Sequence, residues 1–262
     1  MKPLATLAQH EARRLRGVLF DLDDTLLTHG VLTREAYEAL WSLRDAKLRL
    51  VGVTGRPSGW GEVLARQWPI DGIVTENGAI SVVREGAGIA RRDSVSEAER
   101  RSRRVRLAQI VEDVRAIVPE ARLSDDVGAR LADVTWDIGE RMRLQEDRVA
   151  RIRAAIVSAG ARTTQSSVHL HATFDADDKA SGVIRFLGEA FGEDATVARG
   201  RYVFLGDSGN DAACFAAFAT TVGVANVRSY AGKMSVPPKY VATKLMGEGF
   251  AEIADAILGL RA

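Results

Sequence analysis

Two aspartates separated by one residue follow a short apolar run: Val18-Leu19-Phe20 leads directly into Asp21-Leu22-Asp23-Asp24-Thr25. Such a run reads as a buried parallel strand that feeds a polar loop. Side chains two residues apart on an extended strand point to the same side, so Asp21 and Asp23 share one reaction centre if the extended geometry persists through Asp23. Paired carboxylates suit phosphoryl transfer. One attacks phosphorus as a nucleophile; the other, when protonated, donates to the leaving alcohol and later accepts a proton from the hydrolytic water. Asp21 suits the first role and Asp23 the second.

A second acidic pair, Asp207 and Asp211, follows another apolar run, Tyr202 to Leu205, through Gly206. Carboxylates converging on strand ends repel a phosphate dianion unless a cation intervenes. Magnesium favours a few carboxylate oxygens, waters and a substrate phosphate oxygen, so Mg2+ is the expected cofactor. Thr54-Gly55 offers a hydroxyl and an unhindered amide at a predicted helix start, and Lys179 opens another helix with a compact positive charge. Both can hold the remaining phosphate oxygens. Taken singly, each of these residues also reads as an ordinary cap or turn residue; their order and context carry the argument.

The elements that must position them alternate. Thr33 is expected to cap a helix to about residue 47, Leu48 to Val53 reads as a second strand, and Pro57 opens a helix through Trp68. Ile73-Val74 reads as a third strand before the turn signal Asn77-Gly78. From about residue 84 to 173 the pattern changes. Ser96 and Glu99 form a capping box for a helix carrying Leu107, Ile110, Val111, Val114 and Val118. Strand-like 130–136, a helix from about 146 to 158 and strand-like 167–173 follow, an α+β lid. Arg100, Arg101, Arg103, Arg104 and Arg106 crowd the first of these helices and read as a solvated face. A helix from Lys179 to about Phe191, the strand at 202–205, a helix over 208–218 and short strands at 221–225 and 240–241 then restore the alternation. The expected fold class is α/β: a doubly wound, mainly parallel, Rossmann-like sheet from residues 1–83 and 174–262, with an inserted α+β cap over 84–173.

The chain has 262 residues, 46% hydrophobic and 27% charged, within the range of ordinary globular proteins. Thirty-six basic residues oppose thirty-five acidic ones, leaving a formal charge of +1 and no field to recruit nucleic acid or an anionic membrane. Cys214 is the only cysteine, which removes any intramolecular disulfide and fits a reducing cytoplasm. Residues 1–16 read as a short polar leader without the apolar stretch of a signal peptide, and no window suggests a membrane span. No repeat or low-complexity tract is visible.

The segments Asp21-Leu-Asp-Asp-Thr-Leu-Leu, Thr54-Gly-Arg, Lys179 and Gly206-Asp-Ser-Gly-Asn-Asp211 resemble, in order, the four motifs of the haloacid dehalogenase-like superfamily. With Glu76-Asn-Gly-Ala ahead of the insertion, the layout is similar to the subgroup of Cof-type phosphatases, sucrose-phosphate phosphatase and mannosyl-phosphoglycerate phosphatase. The resemblance spans Gly17 to about Leu258. It implies a phosphorylated nucleophile at Asp21, a general acid/base at Asp23, phosphate ligands at Thr54 and Lys179, and magnesium bound by Asp21, the Asp23 backbone carbonyl and Asp207, with Asp211 supporting the metal or its water. Gly55, Arg56, Asn77 and Asn210 are further candidates for phosphate or substrate contact. Two departures stand out: Asp24 occupies a place where many relatives have glycine, and Asp175-Ala-Asp-Asp178 places acid beside Lys179, where it is expected to moderate the lysine's field.

Other readings fit less well. A calcium loop starting at Asp21 needs glycine and glutamate where Leu26 and Leu32 stand. A dinucleotide fingerprint is absent, since Gly206-Asp-Ser-Gly209 lacks its spacing. A phosphoacceptor signalling module is shorter and carries its aspartate after a middle strand. A phosphomutase on the same scaffold is separated from a hydrolase only by how the lid admits water or a reorienting sugar. The expected substrate is a small phosphorylated metabolite, a sugar phosphate or a sugar-derived acid phosphate. Its leaving group would be chosen by Arg56, Glu76 and Asn77 on the core side and Trp136, Asp137, His169 and His171 on the lid. His169 and His171 share a strand face and read foremost as a structural pair.

Overall fold

The computed structural model describes residues 1–166 and 168–262. In chain order the elements are β1 (Lys2–Pro3), α1 (Gln9–Arg13), β2 (Gly17–Phe20), α2 (Arg34–Asp45), β3 (Arg49–Val53), α3 (Ser58–Gln67), β4 (Gly72–Thr75), β5 (Ile80–Glu85) and β6 (Gly88–Asp93). Then come α4 (Glu97–Ile117), β7 (Arg122–Leu123), β8 (Asp133–Asp137), α5 (Glu146–Ser158), β9 (Arg162–Gln165) and β10 (His169–Thr173). The chain closes with α6 (Lys179–Phe191), α7 (Ala195–Arg201), β11 (Tyr202–Gly206), α8 (Ala212–Ala217), β12 (Thr220–Gly223), β13 (Tyr240–Val241) and α9 (Met246–Arg261). Among the described residues no helix is long and apolar enough to cross a membrane.

Nine strands form the main sheet in the order β1-β13-β12-β11-β2-β3-β4-β5-β6, parallel from β1 to β4 and antiparallel at β4-β5 and β5-β6. The chain winds outward from β2 through β3 and β4 on one side, and through β11, β12 and β13 on the other. The strand order therefore reverses between β2 and β11, and a doubly wound sheet opens its crevice at the carboxyl ends of such strands. Both faces are covered, which is why the strands read as unbroken apolar runs. Phe20 packs with Leu40 and Leu43 of α2 and Phe250, Ile253 and Ile257 of α9. Leu19, Val51 and Phe204 pack on the other face with Val183, Phe186 and Leu187 of α6. Full burial of each such side chain stabilises the fold by about 1.5–3 kcal/mol before entropy is counted.

Four strands of the lid form an antiparallel sheet, β7-β8-β10-β9. Period-two alternation divides its central pair. Trp136, Leu170 and Ala172 join Leu107, Ile110 and Val114 of α4 and Ile152 and Ile156 of α5 in a separate core. Asp133, Thr135, Asp137, His169, His171 and Thr173 occupy the opposite face, giving it a polar lining.

Several expectations need revision. The segment read as a polar leader is built into the core: Lys2 and Pro3 pair with Tyr240 and Val241, and Leu4, Leu7, Ala12 and Leu15 are buried. Its apolar residues are spaced along a strand and short turns rather than gathered in one run. The expected core boundary at residue 83 falls inside the β5-β6 hairpin, which keeps the main sheet going to Asp93. The Gly86 turn at φ 58° connects it, and the arginines of β6 lie on an exposed edge, where alternation is least marked. The expected 130–136 strand starts at Asp133, and the expected 167–173 strand starts at His169, Ser167 lying outside the described residues.

The arginine-rich start of α4 is not simply solvated. Arg100 stands seven residues before Leu107, in line with the helix's buried stripe, and is itself buried. Its guanidinium forks onto Asp93 (2.8 and 2.7 Å) and onto Asp175 (2.7 and 2.9 Å). These carboxylates belong to the two strands of chain that join core and lid. Arg103 adds a 3.2 Å contact to Asp175, and Ser94 donates to it at 2.8 Å.

Candidate functional site

Asp21 follows β2 and Asp207 follows β11, so neighbouring parallel strands deliver both carboxylates to the crevice. Asp211 sits on the 3-10 turn ahead of α8 and folds back under the loop. Its Oδ2 accepts the amides of Asp207 (3.0 Å) and Ser208 (3.3 Å), and its Oδ1 accepts Lys179 Nζ at 2.8 Å. Gly206 is required by this closeness, since a Cβ there would lie 2.4 Å from Asp211 Oδ2. Lys179, at the first position of α6, also contacts Asp21 Oδ1 at 2.9 Å. One buried ammonium thus spans two buried carboxylates.

Oxygens of Asp21, Asp207 and Asp211, one from each, lie within 4.8 Å of one another. The electrostatics follow from that crowding. Burial raises the Asp21 carboxyl well above its ordinary range; Asp211 and Asp207 add to the rise and Lys179 opposes it. Burial, then Asp211, pushes Asp207 up to about 7, with Asp24 contributing and Lys179 opposing. Burial alone would depress the Lys179 ammonium, but Asp21 and Asp211 outweigh it and hold its pKa above the usual lysine value. Three carboxylates against one ammonium leave surplus negative charge on hard oxygen donors, and this donor set fits magnesium. A divalent cation there would favour the ionised forms that burial disfavours.

The acidic run before Lys179 is engaged by other partners. Asp175 is taken by Arg100 and Arg103, Asp177 pairs with Arg185 at 2.7 Å, and Asp178 caps α6 by accepting the Ser181 amide. Asp23, two residues after Asp21, is held by a different partner. Its carboxylate lies outside the three-aspartate group and forks onto Arg56, Nε and Nη2 each donating at 2.8 Å. The chain leaves the extended conformation just afterwards, with Asp24 at φ 56°. That left-handed geometry favours glycine, and Asp is among the few other residues that tolerate it.

Thr54 is buried at the end of β3, and its hydroxyl accepts the Arg56 amide at 3.1 Å. Asn77, at φ 53°, donates its amide to Thr54 O at 3.1 Å, and its side chain lies against Gly55, where a Cβ would come within 3.1 Å of Asn77 Oδ1. Thr54, Gly55, Arg56 and Asn77 therefore form one cluster. Asn210 is exposed and accepts Ser208 Oγ at 2.8 Å.

Sequence reasoning missed Asn226, which follows β12. Its Nδ2 donates to Asp24 O (2.9 Å) and to Asp207 Oδ2 (3.1 Å), and its Oδ1 accepts the Met246 amide (3.1 Å). A polar residue shortly beyond an apolar strand was the available signal. It missed the docking of the lid too. Glu76 Oε1 accepts the Ser58 amide (2.9 Å), and its carboxylate accepts the amides of Leu131 (3.0 Å), Ala132 and Asp133 (3.2 Å) from the lid. Burial, then Asp133, pushes Glu76 up to about 7 against those donors. Arg130 of the lid donates to Gly55 O at 3.1 Å and pairs with Asp126 and Asp133. On the lid's polar face His171 Nδ1 lies 2.8 Å from Asp133, and His169 Nε2 lies 2.8 Å from Glu140. Trp136 turns away into the lid core, whereas Asp137 stays on the polar face and accepts three backbone amides.

No family model and no curated protein sequence matches the chain. Solved structures do. A Thermoplasma acidophilum protein is 19% identical with a TM-score of 0.71, covering 94% of this chain and 98% of that one. A haloacid dehalogenase-like hydrolase from Bacteroides thetaiotaomicron is 15% identical with a TM-score of 0.68, covering 94% and 99%. The sucrose-phosphatase of Synechocystis, solved with sucrose and phosphate, is 15% identical with a TM-score of 0.64, covering 94% and 98%. Core and inserted lid together, the chain has the fold of the haloacid dehalogenase-like phosphatases.

Proposed function

We propose that the protein is a magnesium-dependent phosphatase that hydrolyses a small phosphate monoester through a covalent aspartyl-phosphate on Asp21. The observation that carries this reading is the position of Asp21: buried, at the reversal point of the sheet, bridged by Lys179 and grouped with Asp207 and Asp211. Magnesium, held by Asp21, Asp207 and the Asp23 backbone carbonyl with Asp211 behind, would neutralise charge on the transferring phosphoryl group.

In the first half-reaction an Asp21 oxygen forms a bond to phosphorus as the bond to the leaving oxygen breaks, and Asp23 gives its proton to the departing alkoxide. In the second, water attacks the same phosphorus, its proton passes to Asp23, and the acyl-phosphate P–O bond breaks to return Asp21 and inorganic phosphate. Thr54 and Lys179 hold the non-reacting phosphate oxygens, with Gly55, Asn77 and Asn210 at the rim. Residues 1–93 and 174–262 act as the catalytic core and 94–173 as the lid over it.

The polar face of the lid sheet favours a hydroxyl-rich leaving group, so a sugar phosphate is the proposed substrate class; the likeness to a sucrose-phosphatase agrees with it. A cytoplasmic location is part of the proposal, supported by the single, buried, free Cys214. The test is phosphate release from sugar phosphates, phosphoglycerates, nucleotides and an aryl phosphate, with magnesium and with chelator, beside Asp21→Asn. Release is expected to need magnesium and to vanish in the variant. Steady-state hydrolysis by pure, metal-replete Asp21→Asn protein would rule out the nucleophile.

A further inference from the structure

Arg56 belongs to the core loop after β3, and its guanidinium pairs with none of the three buried aspartates. Nε and Nη2 fork onto Asp23 at 2.8 Å each, fixing the plane of that carboxylate as well as its position. Among the described residues the Asp23 carboxylate makes no other hydrogen bond. The guanidinium carbon stands 4.6 Å from the Trp60 ring centroid, so the first turn of α3 sets its plane in turn. The third nitrogen, Nη1, faces the lid and lies 4.0 Å from Asp126 Oδ2. That is too far for a hydrogen bond, and an approach of about 1 Å would make one. Asp126 is itself fixed by Arg130, at 3.0 and 3.1 Å, and by Ser124 at 2.7 Å, while Arg130 also grips Gly55 O beside Arg56.

We propose that Arg56 is a positioning residue that ties the aim of Asp23 to the seating of the lid. This rests on the acid/base role of Asp23 given above. One edge of the guanidinium holds Asp23 and its remaining nitrogen is offered to Asp126. Movement of the lid toward the core draws the guanidinium with it, and the forked carboxylate follows. A lysine in its place keeps the charge but can neither fix the carboxylate's plane nor serve two partners at once.

The leaving group provides the readout. The purified full-length chain with magnesium is mixed with 4-nitrophenyl phosphate, whose phenolate departs without a proton, or with phenyl phosphate, whose phenoxide needs one, and phosphoenzyme formation is followed by rapid quench. Arg56→Lys is expected to slow transfer from phenyl phosphate at least about fivefold more than transfer from 4-nitrophenyl phosphate, and Asp126→Asn to shift the ratio the same way by about twofold. Asp23→Asn run in parallel should show the largest selectivity. If it does while Arg56→Lys slows both substrates alike or leaves both unchanged, Arg56 does not position the acid and the proposal is overturned. If Arg56→Lys is selective and Asp126→Asn is not, the link to the lid is overturned. If Asp23→Asn slows both alike, the acid role itself fails; that separate result removes the foundation of the proposal.

Discussion

Lys179→Met keeps the length of the side chain and deletes the charge that faces Asp21 at 2.9 Å and Asp211 at 2.8 Å. At an effective dielectric of about 20, each attraction is worth about 6 kcal/mol before desolvation. Burying the ammonium costs several kcal/mol, so the pairs largely offset that cost in the wild type. Removing one partner leaves buried carboxylates uncompensated, for which the net loss is about 3–5 kcal/mol. Urea unfolding at pH 8 with chelator should show that loss. The Asp21 carboxyl, already raised, rises further without the ammonium. A group whose folded pKa is raised contributes stability below its unfolded value that is lost as pH rises through the folded one, so the variant's deficit should be smaller at pH 5 than at pH 8. Magnesium supplied at about a hundred times its dissociation constant should return about 2.7 kcal/mol by binding only the folded chain. A variant within about 1 kcal/mol of wild type at pH 8 in chelator would refute the reasoning, because Asp21 would then be compensated by something other than Lys179.

Asp207 gives a second pH test. Its pKa is raised from 3.8 to about 7, so in chelator the stability it contributes is complete below about pH 4 and is lost as pH rises through 7. Asp207→Asn should flatten that part of the stability-pH curve, and an unchanged slope would contradict the raised carboxyl. Glu76→Gln removes one acceptor oxygen from a carboxylate that receives four backbone amides. It should weaken lid docking by about 1–3 kcal/mol and speed amide exchange at residues 131–133, whereas unchanged exchange there would mean that the lid does not depend on Glu76 for its seating.

The polar residues at the strand ends were legible because they lie where an apolar run stops. Asp21 and Asp207 each end an apolar run, and Thr54 ends another, so period and polarity located them without tertiary information. The lid helix over residues 146–158 was likewise readable from its own periodicity. What escaped depends on contacts remote in sequence. Asn226 meets Asp24 across 202 positions, and Glu76 meets the lid across 55 to 57. Arg100 was misread because its charge obscured its place in the apolar stripe, and a buried arginine is recognisable only once Asp93 and Asp175 are seen on either side of it. The β5-β6 hairpin and the N-terminal elements failed for a related reason: edge strands and short turns carry weak periodicity, and their pairing with Tyr240 or with β4 is set by the assembled sheet.

The clamp at Arg100 bears on how the lid is hung. A domain inserted into a loop is attached by two lengths of chain, and two independent tethers would let it slide, tilt and twist. Here both tethers carry a carboxylate, Asp93 on the outgoing strand and Asp175 on the returning one, and a single buried guanidinium grips the pair. The two attachments are thereby fused into one pivot. Rotation about it is the motion that would cost fewest of those bonds.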